Sequence, residues 1–353
     1  MDLINLIKVM SPAVLAFTVG IVIAPIITKQ LYAHKAWKKK AGKVTLDGSE
    51  AIEFNKLHQE REREVPRMGG TLIWGSSLIT IFSIWVIALI FPTAETIKMD
   101  FLSRSQTWIP LFALMIGAVV GLANDLLDIY YNGNGLSLKR RLAVVIAMSV
   151  FIGWWFYEKL DIIAIGIPFA QPLEIGWLII PFFVIVTLAL YASGIIDGVD
   201  GLAGGVFATI FAAYSVIALA QNQIDLAAFS AMLVGAILAF LWFNIPPARF
   251  FMTETGTMAL TLTLATIAFM TDTLGEGIGI FALPVIGFLL VATVASTIIQ
   301  EFSKRFLGKK VFRIAPLHHH FEAGGWSGPK VTMRYWILGA VFAFFGVILA
   351  LVG

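Results

Sequence analysis

Carboxylates, amides and histidines concentrate in four stretches of this 353-residue chain. GLANDLLDIYYNGNGLSLKRR, from Gly121, carries Asn124, Asp125 and Asp128; SGIIDGVDGLAGG, from Ser193, carries Asp197 and Asp200. WFNIPPARFFMTETGT, from Trp242, carries Asn244 and Glu254, and APLHHHFEAGGW, from Ala315, carries His318, His319 and His320. Asp125 and Asp128 are spaced to share one helical face, and the glycines around Asp197 and Asp200 permit close backbone approach to a ligand. Each piece alone has an ordinary reading: a solvated helix end, a plain loop, a polar residue ahead of a helix. Together, clustered carboxylates suit a hard cation held by oxygen, and a cation with histidines and arginines suits phosphate chemistry. Magnesium binds through one or two carboxylates plus substrate phosphates, and phosphoryl transfer needs chiefly positioning and charge neutralisation. Metal-assisted reaction at a diphosphate is the chemistry these residues fit. Zinc fits less well, because consecutive histidines do not share a helical face and the chain has no cysteine.

The elements that must position these residues are membrane helices. The chain is 59% hydrophobic and only 13% charged, which excludes a soluble fold, disorder and a disulfide-stapled scaffold. Apolar runs long enough to cross about 30 Å of hydrocarbon occur roughly at 3–31, 69–91, 108–127, 142–156, 177–193, 202–219, 226–243, 258–270, 283–299 and 335–352. The expectation is an all-α, polytopic membrane protein: ten helices in one domain over 1–353, with no cleavable signal peptide. Most of the lysines and arginines fall in the odd-numbered loops, so these face the cytoplasm and both termini lie outside. The cytoplasmic loops, near 32–68, 128–141, 194–201, 244–257 and 300–334, contain all four polar stretches. A transporter would place its carboxylates near the bilayer midplane, so the pattern favours chemistry at the inner interface. Basic clusters such as Lys38-Lys39-Lys40 and Lys309-Lys310 read as topology signals and contacts to anionic lipid, with no nucleic acid implied. Gly117 and Gly121 form a GxxxG pair suited to helix packing. Gly275, Gly277 and Gly279 follow no strand, so a dinucleotide site is a weak reading.

PLHHHFE at 316–322, followed by GWSGPKVTMRYWI, resembles the histidine signature of the phospho-N-acetylmuramoyl-pentapeptide transferases, members of the polyprenyl-phosphate N-acetylhexosamine 1-phosphate transferases. DGVDGLAGG from Asp197, WFNIPPARFFM from Trp242 and PRMGG from Pro66 resemble further blocks of that family in the same order, and the resemblance spans essentially the whole chain. It implies transfer of phospho-N-acetylmuramoyl-pentapeptide from UDP to undecaprenyl phosphate, giving lipid I and UMP. The place implied is the bacterial inner membrane, with Mg2+ as cofactor, a homodimer as the assembly and a lipid groove between spans. The resemblance implies catalytic roles for Asp125, Asp197, Asp200, Glu254, His318, His319 and His320, with metal ligation by Glu254, Asp125 or Asp200. It also implies substrate contacts at Asn244, Arg141, Asp128 and Asn124, with uracil stacking on Phe251 and phosphate charge met by Arg141 or Arg313.

Several positions depart from the family pattern. Asn124 stands where an aspartate is expected, Asp128 and Arg141 where lysines are usual, Gly194 where an asparagine is usual, Arg67 at a threonine position, and Thr253-Glu254 in place of Gly-Asp. Glutamate keeps an oxygen ligand and arginine keeps the positive charge, so the chemistry can survive. Two alternatives stay open: a related UDP-N-acetylhexosamine 1-phosphate transferase serving another glycan, and a catalytically weakened relative that binds nucleotide or lipid. Asp128 is expected to take over part of the electrostatic role of the carboxylate missing at Asn124. Asp128→Asn should then lower turnover and alter its magnesium dependence in a transfer assay; a variant unchanged in both would exclude that role.

Overall fold

The computed structural model describes residues 3–37, 64–100, 105–131 and 135–353. The Lys38-Lys39-Lys40 run and most of the 32–68 loop lie outside these residues. The helices in chain order are α1 (Leu3–Ala33), α2 (Thr71–Ile90), α3 (Ala94–Met99), α4 (Ser105–Tyr130), α5 (Leu138–Lys159), α6 (Ile179–Ser193) and α7 (Leu202–Ala220). They continue with α8 (Ile224–Asn244), α9 (Thr253–Met270), α10 (Gly279–Ile286), α11 (Phe288–Leu307), α12 (Leu317–Ala323) and α13 (Gly328–Val352). A short antiparallel hairpin, β1 (Ala164–Ile165) with β2 (Leu173–Glu174), interrupts the otherwise helical chain. Every apolar run expected from the sequence has a helical counterpart.

Among the described residues, eight helices are long and apolar enough to cross a membrane, or nine if α10 and α11 count as one span. That pair bends by 69° at its junction. The ninth expected helix is therefore broken, where Pro284 removes a backbone donor and Gly287 opens the turn. α9, the eighth expected span, is not among the eight: its first turn carries Glu254, and threonines recur along its length. It is nonetheless a central helix, buried at every residue from Thr255 to Met270. Beyond its first turn its hydroxyls are satisfied within the helix, Thr261 donating to the Thr257 carbonyl, Thr263 to Ala259 and Thr266 to Leu262. Protein neighbours, not lipid, surround those threonines.

α9 packs along α4 and α6, while α8 packs along α1 and α7, and α13 closes against α7. Missing side chains allow these approaches. A β-carbon at Gly117 would stand 2.7 Å from the Ala259 Cα, and one at Gly121 would stand 2.2 Å from the Glu254 carbonyl oxygen. The GxxxG face of α4 thus fits the N-terminal half of α9, the half that begins at Glu254.

At the opposite end of α9, Asp272 joins the loop after this helix to the hairpin region and α10. Its carboxylate accepts the N–H of Gly166 at 2.6 Å and that of Ile280 at 3.0 Å, and the residue is buried. Gly275 and Gly277, in the loop after α9, pack on Gln221 of the α7 to α8 connection, which accounts for them without a dinucleotide. Burial pushes the Asp272 carboxyl up to about 6, against the opposing pull of the backbone donors. A carboxyl raised in the folded state binds more protons there than in the unfolded chain, so stability falls as pH rises through the interval between the two values. Thermal stability of the purified protein should decline from about pH 4 to about pH 6, and Asp272→Asn should flatten that slope. An identical slope in the variant would exclude Asp272 as its source.

Candidate active site

The last turns of α4 deliver the acidic residues to the start of α9. Asp125 is fully buried, and a buried carboxylate is tolerable only when paired and hydrogen-bonded. Its Oδ2 accepts from the Thr253 hydroxyl at 2.5 Å, the Thr255 hydroxyl at 2.6 Å and the Thr255 N–H at 2.9 Å; its Oδ1 accepts from Arg67 Nη2 at 3.1 Å. The same guanidinium reaches Asp128 Oδ2 at 3.4 Å. Arg67 belongs to PRMGG, which runs beside the segment before α9: Gly69 N–H donates to the Phe251 carbonyl at 2.8 Å, and Phe251 N–H donates to the Pro66 carbonyl at 2.8 Å. A β-carbon at Gly70 would fall 2.3 Å from the Gly256 nitrogen, so side chains on either glycine would part the two segments.

The Asp197 to Gly201 turn docks from the other side. Asp197 Oδ2 accepts the Thr253 N–H at 2.8 Å, and Asp200 Oδ2 accepts the Ala248 N–H at 3.0 Å. Gly201 takes φ +74°, a conformation open to glycine, and its N–H donates to Asn244 Oδ1 at 2.9 Å. Asn244 Nδ2 donates in turn to the Phe250 carbonyl at 2.8 Å, making this buried amide a strut between the turn and the segment before α9. Thr332 of α13 donates to the Asp200 carbonyl, and Trp336 Nε1 to the Gly201 carbonyl.

The histidine motif forms α12 and splits by direction. A β-carbon on Gly198 would stand 2.6 Å from His319 Nε2 and 2.7 Å from His318 Nε2, so both rings aim at the bare α-carbon of this turn. His319 Nδ1 lies 2.7 Å from Glu322 Oε2; with Nδ1 donating to the carboxylate, a neutral His319 presents Nε2 as an acceptor. His320 turns away: its Nδ1 accepts the Arg313 N–H at 3.2 Å, and its ring meets Phe312. Arg313, expected to meet phosphate, donates through Nη1 to the Ala323 carbonyl at 2.9 Å and braces α12.

Arg141, in the first turn of α5, forms an ion pair with Glu254 through Nη1 and Oε1, both side chains being partly exposed. Glu254 lies in the first turn of α9, ahead of its apolar part. Tyr191, near the end of α6, lies close enough to this pair to feel the charges of both Glu254 and Arg141. Among the described residues, no three His, Asp or Glu side chains converge as a ready-made metal cage. Asn124 Oδ1 accepts the Leu136 N–H at 3.0 Å and ties the end of α4 to the segment before α5.

The structure thus gathers Asp125, Asp128, Asp197, Asp200, Asn244, Phe251 and Glu254 around one junction, with His318 and His319 against its Gly198 edge and His320 on the far side of α12. Sequence reasoning missed Arg67 as the cation of Asp125 and Asp128, the hydroxyls of Thr253 and Thr255, Tyr191, and Glu322 as the orienter of His319. Of these, Glu322 was readable: it stands three residues after His319 within PLHHHFE.

A family model described as glycosyl transferase family 4 matches residues 107–272, the stretch that holds the α4 to α9 junction. Together with the bundle of apolar helices, the match defines a multi-pass membrane protein with a glycosyl transferase family 4 region. The chain is 33% identical over 94% of its length to the phospho-N-acetylmuramoyl-pentapeptide-transferase of Anoxybacillus flavithermus, covering 95% of that protein. It is 30% identical to that of Caldanaerobacter subterraneus subsp. tengcongensis, over 96% of this chain and 97% of the relative. The corresponding Shouchella clausii protein is 35% identical, over 83% and 85%. The chain belongs to the phospho-N-acetylmuramoyl-pentapeptide-transferase family.

The contact between Gly198 and the two histidines generates a test. Gly198→Ala should force His318 and His319 out of place without emptying any core site. Displacements of about 1 Å in a phosphoryl-transfer site lower turnover on the order of 100-fold, so kcat should fall steeply while thermal stability changes little. A variant with full kcat would mean that the ring positions are immaterial.

Proposed function

We propose that this chain transfers phospho-N-acetylmuramoyl-pentapeptide from its UDP carrier to undecaprenyl phosphate, forming lipid I and UMP at the cytoplasmic face of a bacterial inner membrane. The observation that carries the reading is the meeting of four distant segments at one junction, with carboxylates, histidines and arginines at the ends of apolar helices. Family membership supplies the substrates. The excess of lysine and arginine in the odd-numbered loops supports the cytoplasmic side. Counting α9 and the bent pair as spans brings the total to ten, with both termini outside.

An oxygen of the lipid phosphate attacks the phosphorus that bears the sugar. The new phosphorus–oxygen bond forms as the bond to the bridging oxygen of UMP breaks, and UMP departs with that electron pair. Arg141, a His318 tautomer carrying its proton on Nε2, and the imidazolium form of His319, whose Nδ1–H stays on Glu322, meet the phosphate charge as N–H donors, and Phe251 stacks the uracil. Asp125 and Asp200 accept hydrogen bonds from protein donors and set the relative positions of the segments. Glu254 suits a divalent cation: its side chain is partly exposed, and Oε1 alone takes the Arg141 bond. One such carboxylate with substrate phosphates is the usual magnesium arrangement. Magnesium, when bound, would neutralise the diphosphate as the leaving group gains charge.

Purified protein with magnesium should release UMP from UDP-N-acetylmuramoyl-pentapeptide and polyprenyl phosphate, and release far less from UDP-N-acetylglucosamine. Preference for UDP-N-acetylglucosamine would redirect the reading to another glycan. Nucleotide binding without UMP release, under conditions where a relative turns over, would make the chain a non-catalytic binder.

A further inference from the structure

Thr253 occupies a backbone conformation that β-branched residues rarely adopt. Its φ is +56°, in the left-handed region where Cβ crowds the following carbonyl oxygen. Such a residue persists when its surroundings over-determine it, and here three bonds do so. The Thr253 N–H donates to Asp197 Oδ2 at 2.8 Å, its hydroxyl donates to Asp125 Oδ2 at 2.5 Å, and the same oxygen accepts the Met68 N–H at 3.1 Å. Met68 is itself left-handed, with φ +65°. One residue thus joins α4, the Asp197 turn and PRMGG, and the next residue along the chain is Glu254. The left-handed step also turns the extended segment that pairs with PRMGG into α9, which aims the first-turn Glu254 at Arg141.

We propose that Thr253 is a positioning residue for the transfer reaction, its hydroxyl fixing the Glu254 to Arg141 pair relative to Asp125, Asp197 and PRMGG. Glycine would satisfy the backbone at this position without strain, so conformation alone gives no reason for a threonine. The hydroxyl gives one, because it is both donor and acceptor and so adds, beside the Arg67 to Asp125 pair, a second tie between PRMGG and α4 that runs through the residue next to Glu254. The claim rests on the transferase reading above for its kinetic part and on geometry alone for its structural part.

Three variants separate the hydroxyl from the backbone. Thr253→Ser keeps the hydroxyl, Thr253→Val keeps the branched shape without it, and Thr253→Gly frees the backbone and removes it. Thr253→Ser should hold kcat within about 3-fold of the parent, whereas Thr253→Gly should lower kcat by about 10- to 100-fold with KM for the nucleotide donor nearly unchanged, as expected when an interaction is felt only in the transition state. Relief of the left-handed strain in Thr253→Gly offsets part of the cost of its lost hydroxyl bonds, and a cooperative melt of that variant well above the assay temperature excludes misfolding as the cause; if Thr253→Val fails to fold, the Gly and Ser pair still decides. Amide hydrogen exchange supplies a readout without turnover. The Met68 amide should lose protection in Thr253→Gly and keep it in Thr253→Ser. Unchanged Met68 exchange in Thr253→Gly, or full kcat in that variant, overturns the proposal. A parent protein that exchanges as expected but releases no UMP would overturn the transferase reading and leave the structural tie standing.

Discussion

A carboxylate buried among membrane helices governs the architecture of this site. Asp125 is enclosed at the end of α4, and four donors from two other segments satisfy it: Arg67 of PRMGG, the Thr253 hydroxyl, and both the N–H and hydroxyl of Thr255. Removing one partner of a buried charge pair typically costs about 3–5 kcal/mol, because the remaining charge is left uncompensated. Neither PRMGG nor the start of α9 can therefore drift from α4 without a large penalty. Arg67 extends the constraint to Asp128, and Thr253 extends it to Asp197, so these three aspartates form one connected network.

Close backbone contact makes this network possible. Gly117 and Gly121 let α9 lie against α4, Gly70 and Gly256 let PRMGG lie against the TETGT segment, and Gly198 lets two imidazoles approach the Asp197 to Gly201 turn. In a bilayer, where lipid tails are as apolar as leucine, such packing and the hydrogen bonds it permits drive helix association. The departures from the family pattern form a consistent set in this light. Arg67 and Asp128 face each other, Arg141 faces Glu254, and Thr253 fills a glycine-type conformation by bonding to both of its neighbours. Each of these five residues has its partner nearby.

Most of the fold was legible because lipid leaves few options: an apolar run of sufficient length must be helical, and each of those runs is. α9 was the hard case. Its threonines dilute the apolar signal, and only the structure reveals that their hydroxyls return to the helix carbonyls and that protein surrounds them. The break at Gly287 was also hidden, since Pro284 is tolerated within many helices and hydropathy carries no angle. At the site, residue types and the clustering of segments were readable, but partnerships were not. Asn244 and Asp200 read equally well as substrate contacts or as struts, and the choice depends on a backbone N–H from a distant residue. Arg67 looked like a departure of unknown consequence, because its carboxylate partners lie 58 residues away and beyond in the chain.

These contacts give the acidic residues different tasks. Asp125 orders the junction from within, while in the proposed reaction Glu254, Arg141, His318 and His319 face the diphosphate. A structure of the protein with UDP-N-acetylmuramoyl-pentapeptide bound tests this division most directly. The account predicts that Asp125 keeps Arg67, Thr253 and Thr255 at hydrogen-bond distance, with the diphosphate lying beyond them against Glu254, Arg141 and the two histidines. A donor phosphate or a metal ion bonded directly to Asp125, with Arg67 and the threonines displaced, would contradict it.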